Sequence, residues 1–589
     1  MCGIFGYIGE PVDAGSVVLA ALKTLEYRGY DSWGVAVADG ERIAVEKQPG
    51  KIGSRAVHLP VSDIGFGHTR WATHGGISAA NAHPHLDCHG RIAVIHNGII
   101  ENFRELKASL VARGHRFASE TDSEVIAHLL EEEVARFDGD LVRAMQVVVT
   151  RLEGFNAIIA LDAATRQLVA SKNVSPLVVG EGPRGCVIAS DAMALHGHAQ
   201  KIHYVEDGQL VRLTHDGCAI VDQQDLSLRS PNYVPFEADG WETGLNGYPH
   251  FMAKEMAEQP AVLEYLANEM EGPIRDLATA ITESYGAFLV GCGTAAYAAH
   301  TGAYLFSRIC RRHINFAAGS EFKYQEHFLT PRSLVIALSQ SGETADIIEA
   351  MMSARRAGAR LGALVNVPQS TLDRMVNIRV PLSAGPEQCV LSTKAYSAMV
   401  AVLLLAAHAI RGDYEMGRRA VLEAAAGLRE MLLPSWQERI VGAAREIAPA
   451  EHLFVIGRGL AYPTALEAAL KIKEVSYIHA EGFAGGELKH GVIALIAPGT
   501  PCVVYAPCDE TRSDILSGAM ELKSRGGFII GVGPGNDPVF DIHLPTPDVG
   551  SASPLVNALP AQMLGYHAAL LRGNDPDKPR NLAKSVTVK

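Results

Sequence analysis

The sequence predicts an α+β domain followed by two α/β domains that each contain a parallel sheet. Three observations indicate this fold class. Short strand-like runs dominate residues 2–229, strand–turn–helix alternation replaces them after residue 249, and that alternation occurs twice. A chain of 589 residues is also too long for one hydrophobic core, so several domains are expected from length alone.

The composition is that of an ordinary globular protein, with 48% hydrophobic and 20% charged residues. The formal net charge of −13 disfavours nucleic acid or an anionic membrane surface as the main partner. The chain shows no signal-peptide pattern, and its most apolar run, at 398–410, is too short to span a bilayer and predicts a buried helix. We therefore expect a cytoplasmic protein that binds neither nucleic acid nor membrane.

The nine cysteines are odd in number and scattered along the chain, and none forms a C-x-x-C pair. This spacing predicts neither a disulfide framework nor a structural zinc site. The cluster NAHPHLDCH contains ligand-type residues and could be mistaken for a metal site, but its match to a family motif makes His83 a structural or substrate-proximal residue instead. The sequence therefore predicts no metal and no cofactor.

The first domain, residues 2–229, mixes strands with helices. Its apolar runs CGIFGYIG, WGVAVAD, RIAVIHNG and NAIIALDA predict strands. Helical patterns lie at about 15–26, 102–113 and 122–136. The stretch 230–249 is rich in Pro, Gly and acidic residues and lacks periodicity, so it predicts a linker.

The remainder of the chain is duplicated. GAFLVGCGTAAY at 286–297 aligns with EHLFVIGRGLAY at 451–462, and VIALSQSGETADII aligns with VVYAPCDETRSDIL, at an offset of about 167 residues. That period is too long for a solenoid, so it predicts two duplicated domains, at 250–440 and 441–574. The last segment, 575–589, falls outside both copies and resembles either a free tail or a lid.

Cys2 follows the initiator methionine directly, which suggests an N-terminal nucleophile. If Met1 is removed, Cys2 carries both a thiol and an α-amino group, whose pKa of roughly 7.7–8.0 suits a general base. The alternative is an incidental cysteine near a flexible end.

Other residues of the first domain could complete an acyl-transfer site. Asn97 and Gly98 end an apolar run, where they could form an oxyanion hole or, alternatively, a tight hairpin turn. Arg70 could bind a carboxylate through its planar fork. Asp122 stands at a helix start, where it could be the N-cap or could hold an ammonium group.

These residues lie in motifs that resemble those of the class II glutamine amidotransferases. MCGIFG, LEYRGYDS, GHTRWATHG, NAHPH, HNGIIEN and SETDSE appear in the order found in that family. The resemblance implies an αββα sandwich of the N-terminal-nucleophile hydrolase type that releases ammonia from L-glutamine. It implies Cys2 as nucleophile, with an oxyanion hole of Asn97 and Gly98. The glutamine-binding residues it implies are Arg70, Trp71, Thr73, His83 and Asp122, with Trp71 also matching a gate on the ammonia path.

In the first repeat, the loop SQSGET lies between a predicted strand and a predicted helix. Hydroxyls, N–H groups and the helix dipole converge there, so Ser339, Gln340, Ser341 and Thr344 could bind a phosphate without a lysine. A serine-rich helix cap is the alternative.

In the second repeat, the corresponding loop APCDET carries Asp509 and Glu510, which would repel phosphate. GCGTAA at 291–296 fits a loose dinucleotide fingerprint, but no acidic residue follows at the expected distance, so NAD is not predicted.

The repeats resemble paired sugar-isomerase (SIS) domains that bind phosphosugars. On the helix ALEAALKIKE, the residues Glu467, Lys471 and Glu474 share one face, which is also the pattern of a solvated salt-bridge stripe. The resemblance instead implies Glu474 as the base that moves a proton between C1 and C2 of the sugar, assisted by Glu467 and Lys471. It further implies ring opening by His490, a Schiff base on Lys584, and sugar-phosphate contacts from Thr294, Ser339, Gln340, Ser341, Thr344, Val390, Ser392 and Ala583.

Together the two halves imply an enzyme that uses glutamine nitrogen to convert fructose 6-phosphate to glucosamine 6-phosphate, with a homodimer implied by resemblance only. Three departures from the usual motifs are Trp33, Lys589 and Ala295, which replaces a serine near the sugar phosphate. Because of Ala295, a different ketose phosphate is one alternative. A phosphosugar-sensing regulator is another.

Overall fold

A computed structural model of the chain describes residues 2–236 and 244–587. Met1, the middle of the predicted linker (237–243) and the last two residues (588–589) lie outside the described residues, so the predicted removal of Met1 and the departure at Lys589 are not placed. The chain divides into two compact units, one of Met1–Trp241 with Ser585–Lys589 and one of Glu242–Lys584.

The first unit combines long antiparallel strands with a few helices. In chain order its elements are β1 (Gly3–Val12), α1 (Ala14–Thr24), β2 (Ser32–Asp39), β3 (Arg42–Pro49), β4 (Ser62–Arg70), β5 (His85–Leu86), β6 (Ile92–Gly98), α2 (Phe103–Ala112), α3 (Glu124–Arg136), α4 (Leu141–Val149), β7 (Asn156–Asp162), β8 (Gln167–Asn173), β9 (Val178–Gly182), β10 (Gly185–Ala189), β11 (Lys201–Tyr204), β12 (Gln209–Thr214), β13 (Gly217–Asp222), β14 (Leu228–Arg229) and β15 (Val234–Pro235).

These strands form two sheets, in the orders β15-β11-β9-β10-β1-β4-β2-β3 and β14-β13-β12-β8-β7-β6-β5. Alternating side chains of each strand face opposite layers. On β1, Ile4 lies in the core between the sheets, whereas Phe5 packs in the core that contains α1. On β6, Ile95 lies between the sheets and Val94 packs in the core that contains α3. The layers are therefore α–β–β–α, which confirms the predicted fold class of the first domain.

Two local features were not predicted. The helix α4 follows α3 closely and was missed, although its Asp140 N-cap accepts hydrogen bonds from two backbone N–H groups of the first turn. The predicted linker contains the short strand β15, which pairs with β11.

Trp33, the unusual residue of its motif, is buried in the core beside α1.

The second unit alternates helices with parallel strands. In chain order its elements are α5 (Phe251–Glu269), α6 (Glu271–Glu283), β16 (Gly286–Gly291), α7 (Thr294–Cys310), β17 (Asn315–Ala318), α8 (Gly319–Phe322), β18 (Ser333–Ser339), α9 (Ala345–Arg356), β19 (Arg360–Val365), α10 (Thr371–Met375), β20 (Ile378–Pro381), α11 (Lys394–Arg411), α12 (Tyr414–Met431), α13 (Pro434–Ile447), β21 (His452–Gly457), α14 (Ala461–Ser476), β22 (His479–Ala484), β23 (Pro501–Tyr505), α15 (Arg512–Lys523), β24 (Phe528–Gly533), β25 (Ile542–Pro545) and α16 (Ser553–Leu571). Short 3-10 helices in the chain are Glu26–Arg28, Ala192–Leu195, Glu326–Phe328, Gly485–His490, Val492–Leu495 and Gly550–Ala552.

The two sheets of this unit have the same topology. Their strand orders are β17-β16-β18-β19-β20 and β22-β21-β23-β24-β25, and the pairings are parallel in both. The duplication predicted from the repeated motifs is confirmed. One continuous core joins the copies, since Leu289 of the first sheet, Leu403 of α11 and Val455 of the second sheet belong to the same cluster.

The apolar run at 398–410 lies in α11. At 18 residues, α11 is long and apolar enough for a membrane span by length and composition, so the estimate that the run was too short is not supported. The structure buries 83% of this helix within the unit, as the predicted core helix requires. It is the only helix of that kind in the described part of the chain.

Candidate active sites

Cys2 lies immediately before β1, with its thiol against the backbone of Trp71. The Trp71 N–H donates to Cys2 Sγ at 3.3 Å, and Sγ lies 3.7 Å from the Trp71 carbonyl oxygen. No side-chain base lies within hydrogen-bonding distance of Sγ among the described residues. Burial raises the pKa of the Cys2 thiol, while the Trp71 N–H and the charge of Arg70 oppose that shift. A thiol in this setting needs a base to become a nucleophile.

Asn97 and Gly98 form the end of β6 and pair in register with β7. The alternative of a tight hairpin turn is therefore wrong. The Asn97 amide donates to the Cys2 carbonyl oxygen at 2.9 Å. Gly98 has a φ of +138°, and a Cβ there would lie 2.1 Å from the Phe155 carbonyl oxygen, so only glycine fits.

His68 fixes the orientation of the Asn97 amide. Its Nε2 lies 3.0 Å from the His96 carbonyl oxygen and 3.1 Å from Asn97 Oδ1. A carbonyl oxygen can only accept, so Nε2 carries the hydrogen and the amide NH₂ must turn toward Cys2. His68 lies within the motif GHTRWATHG, but nothing in its spacing signals this role.

His68 belongs to a group of buried histidines behind β6. His83 stacks on His68 with ring centroids 4.1 Å apart and accepts the His96 N–H at 3.2 Å. Burial lowers the pKa of His68 to about 3 and that of His96 to about 4, and lowers those of His83 and His85 well below their ordinary value. All four are neutral at pH 7. The predicted glutamine-binding residue His83 thus lies in the scaffold that supports Asn97.

The two predicted anchors for glutamine are both buried charges. The Arg70 guanidinium donates to the carbonyl oxygens of His74 at 2.5 Å and Gly75 at 3.1 Å, which shapes the loop that carries the exposed Thr73. Asp122 accepts the Ile100 N–H at 2.8 Å. The N-cap of α3 is Ser123, so Asp122 does not cap this helix.

These two charges and Cys2 act on one another. Burial lowers the pKa of the Arg70 guanidinium, and the negative charges of Cys2 and Asp122 oppose that shift. The structure therefore brings Cys2, Arg70, Asn97 and Asp122 into one electrostatic neighbourhood.

The second unit contains a pocket that collects most of the predicted sugar-phosphate residues. Its lining residues are Cys292, Thr294, Ala295, Leu338, Ser339, Gln340, Ser341, Thr344, Ile347, Val390, Ser392, Met399, Lys471, Glu474, Leu582, Ala583 and Lys584. All eight residues predicted to contact the sugar phosphate are present, together with Lys471, Glu474 and Lys584. Glu467 lies behind the lining, and His490 is exposed at the end of a 3-10 helix and does not line the pocket.

The loop between β18 and α9 forms one wall of this pocket. Ser339 Oγ accepts the Gly342 N–H at 2.9 Å, and Ser341 Oγ accepts the Glu343 N–H at 3.1 Å. Thr344 is the N-cap of α9 but makes no side-chain capping bond. A tight serine loop at the start of a helix fits a phosphate, because hydroxyls and N–H groups converge where the helix dipole is positive.

The corresponding loop of the second copy is occupied by its own carboxylate. Asp509 Oδ1 accepts both the Thr511 N–H at 2.9 Å and the Thr511 hydroxyl at 2.6 Å. Arg308 pairs with Glu510 at 2.6 Å and with Asp509 at 3.4 Å. Arg308 therefore offsets part of the negative charge expected there, in an ion pair at the surface.

The helix α14 brings three charged residues to the pocket. Lys471 Nζ lies 2.7 Å from Glu474 Oε2 and 3.7 Å from Glu467 Oε1. The side chains of Lys471 and Glu467 are both 1% exposed, so the alternative of a solvated stripe is wrong. Thr294 donates to Glu467 at 3.3 Å.

Burial sets the protonation of this group. It raises the pKa of Glu467 to about 8, with Lys471 opposing and Glu474 reinforcing the shift. Burial alone favours a neutral Lys471, but the carboxylates of Glu474 and Glu467 raise its pKa above the ordinary value. At pH 7 Glu467 is therefore protonated and Lys471 is an ammonium group that lies between Glu467 and Glu474. The side chain of Glu474 is 19% exposed and lines the pocket.

Lys584 is held by a carboxylate that the sequence analysis missed. Its ammonium donates to Glu387 Oε2 at 2.5 Å and to the Leu391 carbonyl oxygen at 3.2 Å. Glu387 also accepts the N–H groups of Thr393 at 2.8 Å and Ala395 at 3.2 Å. Although burial opposes it, the charge of Lys584 lowers the pKa of Glu387.

A second buried carboxyl group, Glu255, lies beside this pair. Burial raises its pKa to about 8, and the charge of Glu387 adds to the shift. Glu255 and Glu387 are far apart in the sequence and belong to no recognisable motif. Their role could not be predicted, because only the fold brings them together.

The tail before Lys584 is docked against the second unit. Asp577 accepts the N–H groups of Phe251 and Met252, each at 2.8 Å. The Arg580 N–H donates to the Tyr477 hydroxyl at 2.7 Å, and its guanidinium lies 4.1 Å from the centre of that ring. Polar contacts therefore hold this part of the tail.

Two family models match the chain. The SIS domain matches residues 280–409 and 446–572, and the glutamine amidotransferase domain matches residues 68–197.

Curated relatives named glutamine–fructose-6-phosphate aminotransferase (isomerizing) match along the full length. The protein of Thermus thermophilus is 42% identical over 616 residues, and that of Thermococcus kodakarensis is 40% identical over 606 residues. Each comparison covers 100% of both chains.

Solved structures resemble the second half. The C-terminal domain of glucosamine-fructose-6-phosphate aminotransferase from Francisella tularensis is 30% identical, with a TM-score of 0.53 over 57% of this chain and 99% of that chain. Tagatose-6-phosphate ketose/aldose isomerase from Escherichia coli, 18% identical, has the same fold, with a TM-score of 0.50 over 56% of this chain and 96% of that chain.

Proposed function

The chain belongs to the glutamine–fructose-6-phosphate aminotransferase (isomerizing) family, and we propose that its two half-reactions take place at the Cys2 site and at the Lys584 pocket. It transfers the amide nitrogen of L-glutamine to fructose 6-phosphate, giving glucosamine 6-phosphate and glutamate. It is thus an enzyme and not a phosphosugar-sensing regulator. The observation that carries the proposal is the pocket that combines a phosphate-type loop, an acid–base helix and a buried lysine.

At the first site, the Cys2 thiolate attacks the side-chain amide carbon of glutamine. The α-amino group of Cys2 takes the thiol proton and passes it to the leaving ammonia, and water then hydrolyses the thioester to glutamate. Asn97 and Gly98 donate hydrogen bonds to the oxyanion. Arg70 binds the α-carboxylate of glutamine and Asp122 its ammonium group.

At the second site, the loop 339–344 holds the phosphate. Lys584 passes its ammonium proton to Glu387, 2.5 Å away, and the free amine attacks the C2 carbonyl of the open-chain ketose, after which Glu387 returns the proton to the departing water. The amine adds to the carbonyl carbon and water leaves, which gives an imine that ammonia then displaces from the lysine. Glu474 removes a proton from C1 and returns it to C2, which converts the 2-imino sugar into the 2-amino aldose. Lys471 fixes Glu474, and Glu387 holds Lys584 in place.

We further propose a homodimeric cytoplasmic enzyme without nucleic-acid or membrane partners. The net charge of −13 supports the absence of these partners. His490 supports the dimer, because a residue that opens the sugar ring must reach a pocket, and this exposed residue does not line the pocket of its own chain. Mixing inactive His490→Ala and Lys584→Arg chains should restore activity in mixed dimers. Mixtures as inactive as each variant alone would contradict the shared site.

Borohydride trapping tests the assignment of Lys584. Reduction in the presence of fructose 6-phosphate should leave a mass adduct on the peptide that contains Lys584. Lys584→Arg keeps the charge but cannot form the imine, so it should lose aminosugar synthesis and keep glutaminase activity. Deletion of residues 580–589 should have the same result. Full synthesis by either variant would place the imine on another residue.

A panel of ketose phosphates tests the sugar. Because Ala295 lines the pocket where the family has serine, the KM for fructose 6-phosphate should fall in Ala295→Ser. Fructose 6-phosphate should nevertheless have the highest kcat/KM of the panel in both forms, as measured by mass spectrometry of the aminosugar products.

A further inference from the structure

Four ligand-type side chains of the first unit converge on one point away from Cys2. Cys88 lies in the turn between β5 and β6, and His115 lies in the segment after α2. His128 and Glu131 lie one turn apart on α3, so they share a face of that helix. Neither half-reaction uses any of these residues.

Their potential ligand atoms all lie within 4.8 Å of one another. Cys88 Sγ is 3.6 Å from Nδ1 of both His115 and His128, and these two Nδ1 atoms are 3.3 Å apart. Glu131 Oε2 is 3.1 Å from His115 Nδ1 and 3.2 Å from His128 Nδ1.

These separations are the edges of a zinc-sized tetrahedron. With Zn–S of about 2.3 Å and Zn–N or Zn–O of about 2.0–2.1 Å, tetrahedral angles place S and N about 3.5 Å apart and N and N or N and O about 3.3 Å apart. The five measured distances agree with these values to within about 0.2 Å. One thiolate, two imidazoles and one carboxylate are also ligands that zinc prefers.

The other nitrogen of each histidine faces a carboxylate. His115 Nε2 lies 3.1 Å from Glu132 Oε1, and His128 Nε2 lies 3.6 Å from Glu124 Oε1. The hydrogen bond of His115 places its hydrogen on Nε2 and leaves a lone pair on Nδ1, as in the carboxylate–histidine pairs around bound zinc. The longer contact of His128 favours the same arrangement by charge, without a hydrogen bond.

With neutral imidazoles, hydrogen bonding inside the cluster is incomplete, although Glu131 Oε2 also accepts the Cys88 N–H at 3.2 Å. With hydrogens on both Nε2 atoms, the two Nδ1 atoms and Glu131 Oε2 all present lone pairs to one another. A Cys88 S–H group can donate to only one of them. A cation at the centre satisfies all four atoms at once.

We propose that Cys88, His115, His128 and Glu131 bind one zinc ion. Four protein ligands complete its tetrahedron, so the ion is structural rather than catalytic. This differs from the expectation that the chain has no metal, because the ligands come from three segments with no zinc-type spacing in the sequence.

The zinc site is connected to the glutamine site through Glu124. The carboxylate of Glu124 that faces His128 also accepts the N–H groups of Ala118 at 2.6 Å and Ser119 at 2.7 Å. The segment that follows leads directly to Asp122. The ion therefore fixes the position of the segment that carries this glutamine anchor.

Metal content of the full-length chain, with any affinity tag removed, tests the proposal. After chelation, reloading with ZnCl₂ and gel filtration, mass spectrometry of the metal should give one zinc per chain. Cys88→Ser and His115→Ala should each lower this at least tenfold. Cys508→Ser, which changes another exposed free cysteine, is the matched control and should retain one zinc.

Cobalt identifies the ligand directly. Co²⁺ loading should give a thiolate-to-cobalt charge-transfer band that is lost in Cys88→Ser and retained in Cys2→Ser, which excludes binding at the nucleophile.

Removal of zinc should raise the KM for glutamine several-fold and leave the KM for the sugar unchanged. Less than a tenth of an equivalent of zinc in the reloaded wild type, or a full equivalent in Cys88→Ser, would overturn the proposal.

Discussion

The residues that support Asn97 and those that support Lys584 differ in the kind of polar group that is buried. Behind Asn97, the first unit packs uncharged imidazoles such as His68 and His83, whose pKa values burial lowers. Around its pocket, the second unit buries ion pairs, Lys471 with Glu474 and Lys584 with Glu387. Buried charges are stable only when paired, whereas neutral imidazoles need only hydrogen bonds.

The difference matches the chemistry of each site. A nucleophilic thiol needs oriented donors for an oxyanion, and the neutral scaffold supplies one by fixing the Asn97 amide through His68. Proton transfer on a sugar and imine formation need groups that change protonation, which buried pairs of carboxylates and amines provide.

The largest expected effect comes from Cys2. Cys2→Ala removes the nucleophile, so glutaminase activity should fall by about 10⁴-fold or more. Imine trapping at Lys584 should persist, since the second unit keeps its ion pairs. Cys218→Ala, which changes a free cysteine of the same unit, should retain glutaminase activity.

Intact-mass analysis of the same preparations checks the N-terminus. Active enzyme should lack Met1. A fully active protein that retains Met1 would exclude the α-amino group as the base.

The phosphate loop should give the next largest effect. Ser341→Ala with Thr344→Ala removes two hydrogen bonds to a charged group, each worth about 1.5–3 kcal/mol, so the KM for the sugar phosphate should rise by about 10²–10⁴-fold. Glutaminase kinetics should be unchanged. Thr511→Ala in the second copy is the matched control and should leave this KM alone, because Asp509 already occupies its loop. If the substitutions in the two loops raised this KM equally, the assignment of the phosphate to the loop of the first repeat would be wrong.

The sequence predicted the elements that depend on local pattern. The strand ends that carry Asn97 and Ser339 follow apolar runs, and the repeat made the two SIS domains visible. Roles that depend on long-range contacts could not be predicted in this way. Glu387 meets Lys584 across 197 positions, and Cys88 meets His128 across 40. His490 matched a motif, yet its placement outside the pocket required the fold.

Glu387→Gln tests the positioning of Lys584. The amide has the same shape but cannot neutralise the ammonium, so imine trapping and aminosugar kcat/KM should fall by about 10–100-fold. Glu258→Gln is the control, since it removes the partner of another buried lysine, Lys394, at 2.5 Å. It should lower thermal stability without reducing trapping. Equal loss of trapping in both variants would mean that breaking any buried ion pair of this unit impairs imine formation. It would contradict a specific role of Glu387 in positioning the amine.

The smallest expected effect is that the two units respond to pH in opposite directions. Between about pH 4 and 6.5, the unfolded chain protonates histidines such as His68 and His96 that the folded first unit keeps neutral, so acidification destabilises this unit. Between about pH 4.5 and 8, the folded second unit retains protons on Glu467 and Glu255 that the unfolded chain has lost, so acidification stabilises it.

Each such group changes the free energy of unfolding by at most about 1.4 kcal/mol per pH unit, or about tenfold in the unfolding equilibrium constant. Hydrogen-exchange protection factors, measured peptide by peptide from pH 5 to 8, report the two units separately. Protection in β6 should rise with pH, and protection in α14 should fall. Glu467→Gln carries a neutral amide in place of the protonated acid, so it should flatten the slope in α14 and leave that in β6 unchanged. If protection in β6 and α14 changed with pH in the same direction, other titrating groups would dominate. The neutral imidazoles and protonated acids would then not determine how the stability of each unit depends on pH.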